Sequence, residues 1–156
     1  MRMYRVALYG FMFLLANAGS AFANDGLITK PSARPVNETL DRLEGALKAK
    51  GYVIFTRLDH AAAAAAIGQK MPPTTVLVFG NPRGGTQQML NKPSLAIDLP
   101  LKALVWEDSA GKVSVTYNSA AYVYGTILPR HGSSVPLQRQ QEVEQLLAEV
   151  TDVAVK

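Results

Sequence analysis

Hydrophobic residues recur along the chain at two spacings, and each spacing predicts a different element. Val36, Leu40, Leu43 and Leu47 follow one another at steps of four, three and four residues. This spacing is typical of one face of an α-helix, and Gly51 is a natural stop for it. The chain therefore predicts a long amphipathic helix that begins near residue 36.

The C-terminal part of the chain shows the same helical spacing. Val143, Leu146, Leu147 and Val150 predict the buried face of a second long helix, over residues 134–152. Shorter helices are predicted at residues 61–66, 86–90 and 120–127. The first of these is a run of six alanines, and alanine has the highest helix propensity.

β-Branched and aromatic runs bounded by Gly, Pro, Asn and Asp predict strands between these helices. Val113, Val115 and Tyr117 alternate with polar residues, which is typical of a strand with one buried face. The predicted strands are residues 27–33, 52–58, 74–79, 101–107 and 112–118. The last two are joined by a hairpin loop that contains Gly111.

The order of predicted elements, β-α-β-α-β-α-β-β-α-α, is too mixed for a purely parallel sheet. It favours an α+β fold of two layers, with a mainly antiparallel sheet and the helices packed on one face. A chain of 156 residues fits one such domain.

The N-terminal segment has the features of an export signal. Arg2 and Arg5 precede an almost wholly apolar stretch, which ends in the small-x-small triplet Ala21-Phe22-Ala23. This arrangement predicts a secretory signal peptide over residues 1–23, cleaved after Ala23, and a mature domain over residues 24–156 in the periplasm or outside the cell. The alternative is an uncleaved N-terminal anchor; if the signal is cleaved, we expect no association with the membrane.

The predicted cleavage changes the meaning of the overall charge. The chain has 16 Lys and Arg residues against 12 Asp and Glu residues, a formal net charge of +4. Without residues 1–23, 14 basic and 12 acidic residues remain, which leaves +2. A nearly balanced charge removes most of the support for a nucleic-acid partner.

Several segments of the chain resemble the family called domain of unknown function 302. These segments are RLDHAA at 57–62, PTTVLVFGNPRGGT at 73–86, LAIDLPLKALVWED at 95–108, GKV at 111–113 and YN at 117–118. The resemblance covers residues 27–132 and implies a compact α+β fold of the TATA-binding-protein-like class, often dimeric and without an established activity. The chain departs from the family pattern after Asn118, where extra residues precede Arg130-His131-Gly132.

Asp59-His60 is the sharpest candidate pair for chemistry. It lies between a predicted strand and the alanine helix, and histidine exchanges its proton near neutral pH. His60 could act as a general base or contact a ligand, with Asp59 tuning it. The alternative is that Asp59 only caps the helix and His60 packs beside it.

The segment Asn81 to Thr86 is a candidate anion site. Backbone N–H groups at a glycine-rich helix start attract anions, and the Arg83 side chain and the Thr86 hydroxyl could add contacts beside Asn81 and Gly84. The spacing matches neither a P-loop nor a dinucleotide-binding motif. The alternative is a tight turn followed by a helix capped by Thr86.

Asp98 and Tyr117 complete the set of candidate binding residues. Asp98 could take part in acid–base chemistry with His60 or hold a cation, or it could only stabilise a turn. Tyr117 could line a pocket or pack in the core.

Metal and nucleophile chemistry receive little support. The chain has no Cys and only two His, too few for a thiolate or three-histidine zinc site. We therefore assign no metal or cofactor. A serine-hydrolase G-x-S-x-G motif is absent from the sequence.

These residues favour an exported, non-enzymatic module that binds a small, anionic ligand at the strand ends and forms a homodimer. The first alternative is a small hydrolase or isomerase in which His60 acts with Asp98 or Asp59. The second is a purely structural dimer module.

Overall fold

The computed structural model describes residues 26–156. The predicted signal peptide lies outside the described residues. In this part of the chain, five strands form one antiparallel sheet in the order β1-β5-β4-β3-β2. The strands are β1 (Leu27–Ser32), β2 (Val53–Asp59), β3 (Thr74–Gly80), β4 (Leu101–Glu107) and β5 (Val113–Asn118).

Helices fill the connections between the strands and the C-terminal part of the chain. They are α1 (Val36–Ala49), α2 (His60–Ala66), α3 (Pro82–Asn91), α4 (Ala120–Tyr122), α5 (Leu128–Arg130) and α6 (Leu137–Val155). A 3-10 turn (Pro93–Ile97) follows α3, and a π-helical turn (Val123–Ile127) joins α4 to α5. The predicted α+β architecture is confirmed.

The core lies between one face of the sheet and the two long helices. The apolar residues of α1 that predict a helix face, Leu40, Leu43 and Leu47, are at most 1% exposed. They pack with α6 residues such as Leu147 and with the sheet residues that alternate inward, among them Val115. Burial of these side chains is the main favourable term that holds the layers together.

Several helix boundaries differ from the predicted ones, and two of the differences have a clear local reason. Helix α3 begins at Pro82 rather than Thr86, because the Asn81 side chain accepts the Arg83 N–H at 3.0 Å and Pro82 suits a first helical turn. The helical run from Ala120 continues past Pro129, because the proline stands in the first turn of α5, where a missing N–H is tolerated. Helix α6 begins at Leu137, directly after Pro136.

Two irregularities occur near one end of the sheet. The pairing of β2 with β3 shifts between Ile54 and Thr56, so Phe55 is the extra residue of a β-bulge. The π-helical turn places Val123 and Tyr124 between α4 and α5. Both irregularities place side chains in the same region, near the end of β3 and the start of β4.

Candidate functional site

A cavity of about 390 Å³, here called the main cavity, lies at the end of the sheet where β3 stops and β4 begins. Its walls come from β2, β3, α3, the 3-10 turn, the start of β4, the π-helical turn and α6. The apolar lining consists of Phe55, Val78, Met89, Ala96, Leu99, Leu101, Val123 and Leu128, with Pro82 and Pro100. A volume in this range, with mostly apolar walls, is typical of a small-molecule site.

The polar groups of the main cavity are few and come from distant parts of the chain. Tyr52 precedes β2, Tyr124 lies in the π-helical turn, and Arg139 lies in the first turns of α6. Asn81 and Gln88 add amide groups from the α3 side. A small number of placed polar groups on an apolar wall is the usual means of orienting a ligand.

Tyr52 is buried and Tyr124 is half-buried. Burial raises the pKa of both Tyr52 and Tyr124, and the positive charge of Arg139 acts in the opposite direction on each. The pKa of Arg139 is itself raised, mainly by its hydrogen bond to Glu142 and against the opposing effect of partial burial. All three side chains line the main cavity.

A second, smaller cavity of about 120 Å³ adjoins the first. Leu99, Pro100, Leu101 and Val123 line both cavities. The peptide bond between Leu99 and Pro100 is cis. Asp98 lines the smaller cavity, so the segment at residues 98–101 separates the two spaces.

Asp98 belongs to a hydrogen-bonded chain of three side chains. Nε2 of His131 lies 2.6 Å from the Asp98 carboxylate, and Nδ1 lies 2.9 Å from Oγ of Ser94. Since a carboxylate can only accept, Nε2 carries the proton, and in the neutral imidazole Nδ1 then accepts from Ser94. The His131 side chain is only 7% exposed, which fixes this geometry.

The pair of Asp98 and His131 is expected to contribute stability that is lost in acid. The hydrogen bond from His131 and the nearby Arg130 hold the pKa of Asp98 below its ordinary 3.8. On acidification, Asp98 therefore takes up a proton at a higher pH in the unfolded chain than in the folded protein. The stabilising contribution is present above about pH 4 and disappears as the pH falls through the folded-state pKa.

Urea unfolding of the wild type and Asp98→Asn measures this contribution. We expect the wild type to be more stable at pH 7 and the difference to shrink as the pH falls below 3.8, the ordinary pKa of the carboxyl group. A difference of equal size at pH 7 and at the lowest pH at which both proteins fold would show that the carboxylate charge is not responsible.

The structure distributes the candidate residues from the sequence over several places. Asn81 and Gly84 line the main cavity, whereas Arg83 and Thr86 are exposed on α3 and lie outside the lining of both cavities. Tyr117 is 3% exposed and packs in the core between sheet and helices.

Asp59 and His60 lie apart from both cavities. Oδ1 of Asp59 accepts the N–H of Ala62 at 2.9 Å and so caps α2. His60 is exposed, and within the described part of the chain no hydrogen bond joins it to Asp59 or Asp98. The imidazole that contacts Asp98 belongs to His131 instead.

The sequence did not single out the groups that the fold brings together. Tyr52 lies 72 positions before Tyr124, which lies 15 positions before Arg139, and the three share no motif. The one available signal for His131 was its position in Arg130-His131-Gly132, the ending that the family resemblance includes. Among residues 26–156, no cluster of three or more His, Asp or Glu side chains could hold a metal ion.

Comparison with known proteins now identifies the family. A family model described as domain of unknown function DUF302 matches residues 28–154. The chain belongs to the DUF302 family. This DUF302 chain also resembles the crystal structure of an uncharacterized conserved DUF302 protein from Bacillus stearothermophilus, with a TM-score of 0.69 and 20% identity. That likeness covers 83% of this chain and 98% of the other and shows the shared fold.

Curated relatives of the DUF302 chain carry the name of a transport protein. The fluoride-specific ion channels FluC 1 of Brucella suis biovar 1 (strain 1330) and of Brucella abortus biovar 1 (strain 9-941) are each 41% identical over 104 residues. The match covers 67% of this chain but only 41% and 38% of those proteins, so the chain spans about two fifths of their length. Within residues 26–156, no helix is long and apolar enough to cross a membrane.

Proposed function

We propose that this DUF302 domain binds a small molecule with a largely apolar body in the main cavity. The observation that carries the proposal is the cavity itself, about 390 Å³ in volume and lined mainly by aliphatic and aromatic side chains. Apolar surface that is removed from water on binding supplies the affinity, at about 25 cal/mol per Å².

Two departures from regular structure support this assignment. The β-bulge at Phe55 and the π-helical turn with Tyr124 both border the main cavity. Bulges and π-helical turns occur often beside functional sites, where they redirect side chains.

The same lining disfavours fluoride as the occupant. Fluoride is small and strongly hydrated, and transfer into an apolar space costs several kcal/mol unless donors replace the lost water. The name of the Brucella channels therefore does not supply the ligand of this cavity.

Fluorescence titration with the neutral probe N-phenyl-1-naphthylamine tests the proposal. We expect saturable enhancement at micromolar concentration, with one probe bound per chain and no displacement by sodium fluoride. A linear, non-saturating signal would contradict binding in a defined cavity.

A second candidate function is hydrolysis of an acyl ester, favoured by the chain of Ser94, His131 and Asp98. In this reaction Oγ of Ser94 attacks the carbonyl carbon while its proton passes to Nδ1 of His131, and Asp98 stabilises the imidazolium. The alcohol leaves with that proton, and water then releases the acyl group from the serine.

A fluorophosphonate probe, which labels activated serines, tests the second candidate. Labelling of the wild type that is lost in Ser94→Ala and His131→Ala, but kept in the hairpin variant Ser109→Ala, would support it. Absent labelling, or equal labelling of all four proteins, would exclude an activated Ser94.

A further inference from the structure

We propose that the ligand of the main cavity carries a carboxylate, which binds to Arg139 and to the hydroxyls of Tyr52 and Tyr124. This inference rests on the proposed function and adds the chemical class of the ligand. The ligand is then an apolar monocarboxylic acid, whose hydrocarbon tail or ring system packs against the aliphatic wall of the cavity.

The charge in the lining of the main cavity is positive. Among the described residues that line it, Arg139 is the one charged side chain, and no Asp or Glu is part of the lining. Glu142 contacts Nη1 of Arg139 at 3.1 Å and is half exposed, so it faces the solvent side of the guanidinium. The Arg139 side chain is itself 41% exposed, so its attraction for an anion is screened by solvent and should weaken as the salt concentration rises.

The other end of the guanidinium is directed toward the cavity wall. Nη2 of Arg139 lies 3.3 Å from the position that a Cβ at residue 84 would occupy. Gly84 lines the cavity, and its lack of a side chain allows the guanidinium to approach α3 this closely. The planar fork of a guanidinium matches the two oxygens of a carboxylate.

The tyrosine hydroxyls supply further donors. Tyr52 is 9% exposed, and neither its hydroxyl nor that of Tyr124 forms a hydrogen bond with another group among residues 26–156. Neither hydroxyl is a fully buried atom, so both remain accessible to a ligand. Tyr52, Tyr124 and Arg139 line the same cavity, where the hydroxyls can donate to the oxygens of a carboxylate held by Arg139.

One guanidinium with two neutral donors favours a singly charged head group. A phosphate carries close to two negative charges at neutral pH, and the lining offers no second cation for it. The apolar wall opposite accounts for the rest of the molecule.

Displacement of N-phenyl-1-naphthylamine by octanoate and by octanol tests this inference. The two competitors share one alkyl chain and differ in the head group. We expect Arg139→Gln to weaken octanoate binding about 10- to 100-fold, the loss of a hydrogen-bonded charge pair. Octanol binding should change less than about threefold, because a neutral hydroxyl does not need the charge.

Further variants separate the head-group contact from damage to the fold. Arg42→Gln is the matched control, since Arg42 lies on α1, bonds to the carbonyl of Val153 and is absent from the lining; we expect no change for either competitor. Tyr52→Phe and Tyr124→Phe should each weaken octanoate about 2- to 10-fold.

Equal weakening of octanoate and octanol by Arg139→Gln, or no weakening of either, would overturn the carboxylate assignment and leave the proposed function standing. Failure of the neutral probe to bind the wild type would overturn the proposed function and this inference together.

Discussion

Gly85→Leu is expected to abolish binding of the neutral probe, or to weaken it at least about tenfold, without destabilising the protein. Gly85 lies inside α3 and lines the main cavity. A Cβ at this position would contact only Met89, whose Cε would be 3.9 Å away, an ordinary van der Waals distance. The leucine side chain can therefore extend into the space that the ligand needs.

The same substitution should slightly increase the stability of the protein. Glycine in a helix interior is less favourable than leucine by roughly 0.5–1 kcal/mol, so the variant should unfold at a slightly higher urea concentration. The matched control is Gly45→Leu, because Gly45 is exposed in α1 and a Cβ there meets nothing within 4 Å. We expect the control to gain similar stability and to bind the probe like the wild type.

Probe titration and urea unfolding of the wild type, Gly85→Leu and Gly45→Leu measure the affinity and the stability. Wild-type affinity in Gly85→Leu would place the binding site somewhere other than the main cavity. Gly85→Ala, a smaller change, should give an intermediate affinity if the cavity volume is the cause.

Phe79→Ala is expected to destabilise the fold by about 3–5 kcal/mol. Phe79 lies on β3, is 1% exposed, and its ring centroid lies 6.1 Å from that of Tyr52. Its removal enlarges a space that already adjoins the smaller cavity, and the paired strands on either side prevent the walls from closing. A loss of this size is a large fraction of the 5–15 kcal/mol that stabilises a typical domain.

The matched control uses the same change at Phe55, which is 55% exposed on the edge strand β2. Phe55→Ala should cost less than about 1 kcal/mol, since much of the ring already contacts water. It should still weaken probe binding, because Phe55 lines the main cavity. Equal destabilisation by the two changes in urea unfolding would show that Phe79 is not a principal core residue.

The elements of the fold were predictable from the sequence where the spacing of apolar residues reflects which side chains are buried. Leu40, Leu43 and Leu47 have helical spacing because one face of α1 packs on the sheet, and the alternation around Val115 reflects the single buried face of β5. The start of α3 was not predictable in this way. Asn81 and Thr86 are both residue types that cap helices, and in the structure the Asn81 side chain caps α3 while Pro82 occupies its first turn.

Less of the candidate site than of the fold could be predicted from the sequence. Tyr52, Tyr124 and Arg139 line one cavity because the π-helical turn and α6 lie near the end of the sheet, and no local periodicity in the sequence predicts that placement. The sequence singled out the Asp98 carboxylate as a candidate group, with His60 as its imidazole partner, whereas the imidazole that contacts it in the structure belongs to His131. Long-range partners of this kind depend on tertiary packing.

Intermolecular nuclear Overhauser effects show whether a small molecule occupies the main cavity. The measurement uses methyl-labelled protein and unlabelled N-phenyl-1-naphthylamine. We predict contacts from the probe to methyl groups of Val78, Leu99, Leu101 and Val123, which line the cavity from different elements. Contacts confined to exposed residues such as Ile67 and Leu137, or no contacts at all, would contradict the account.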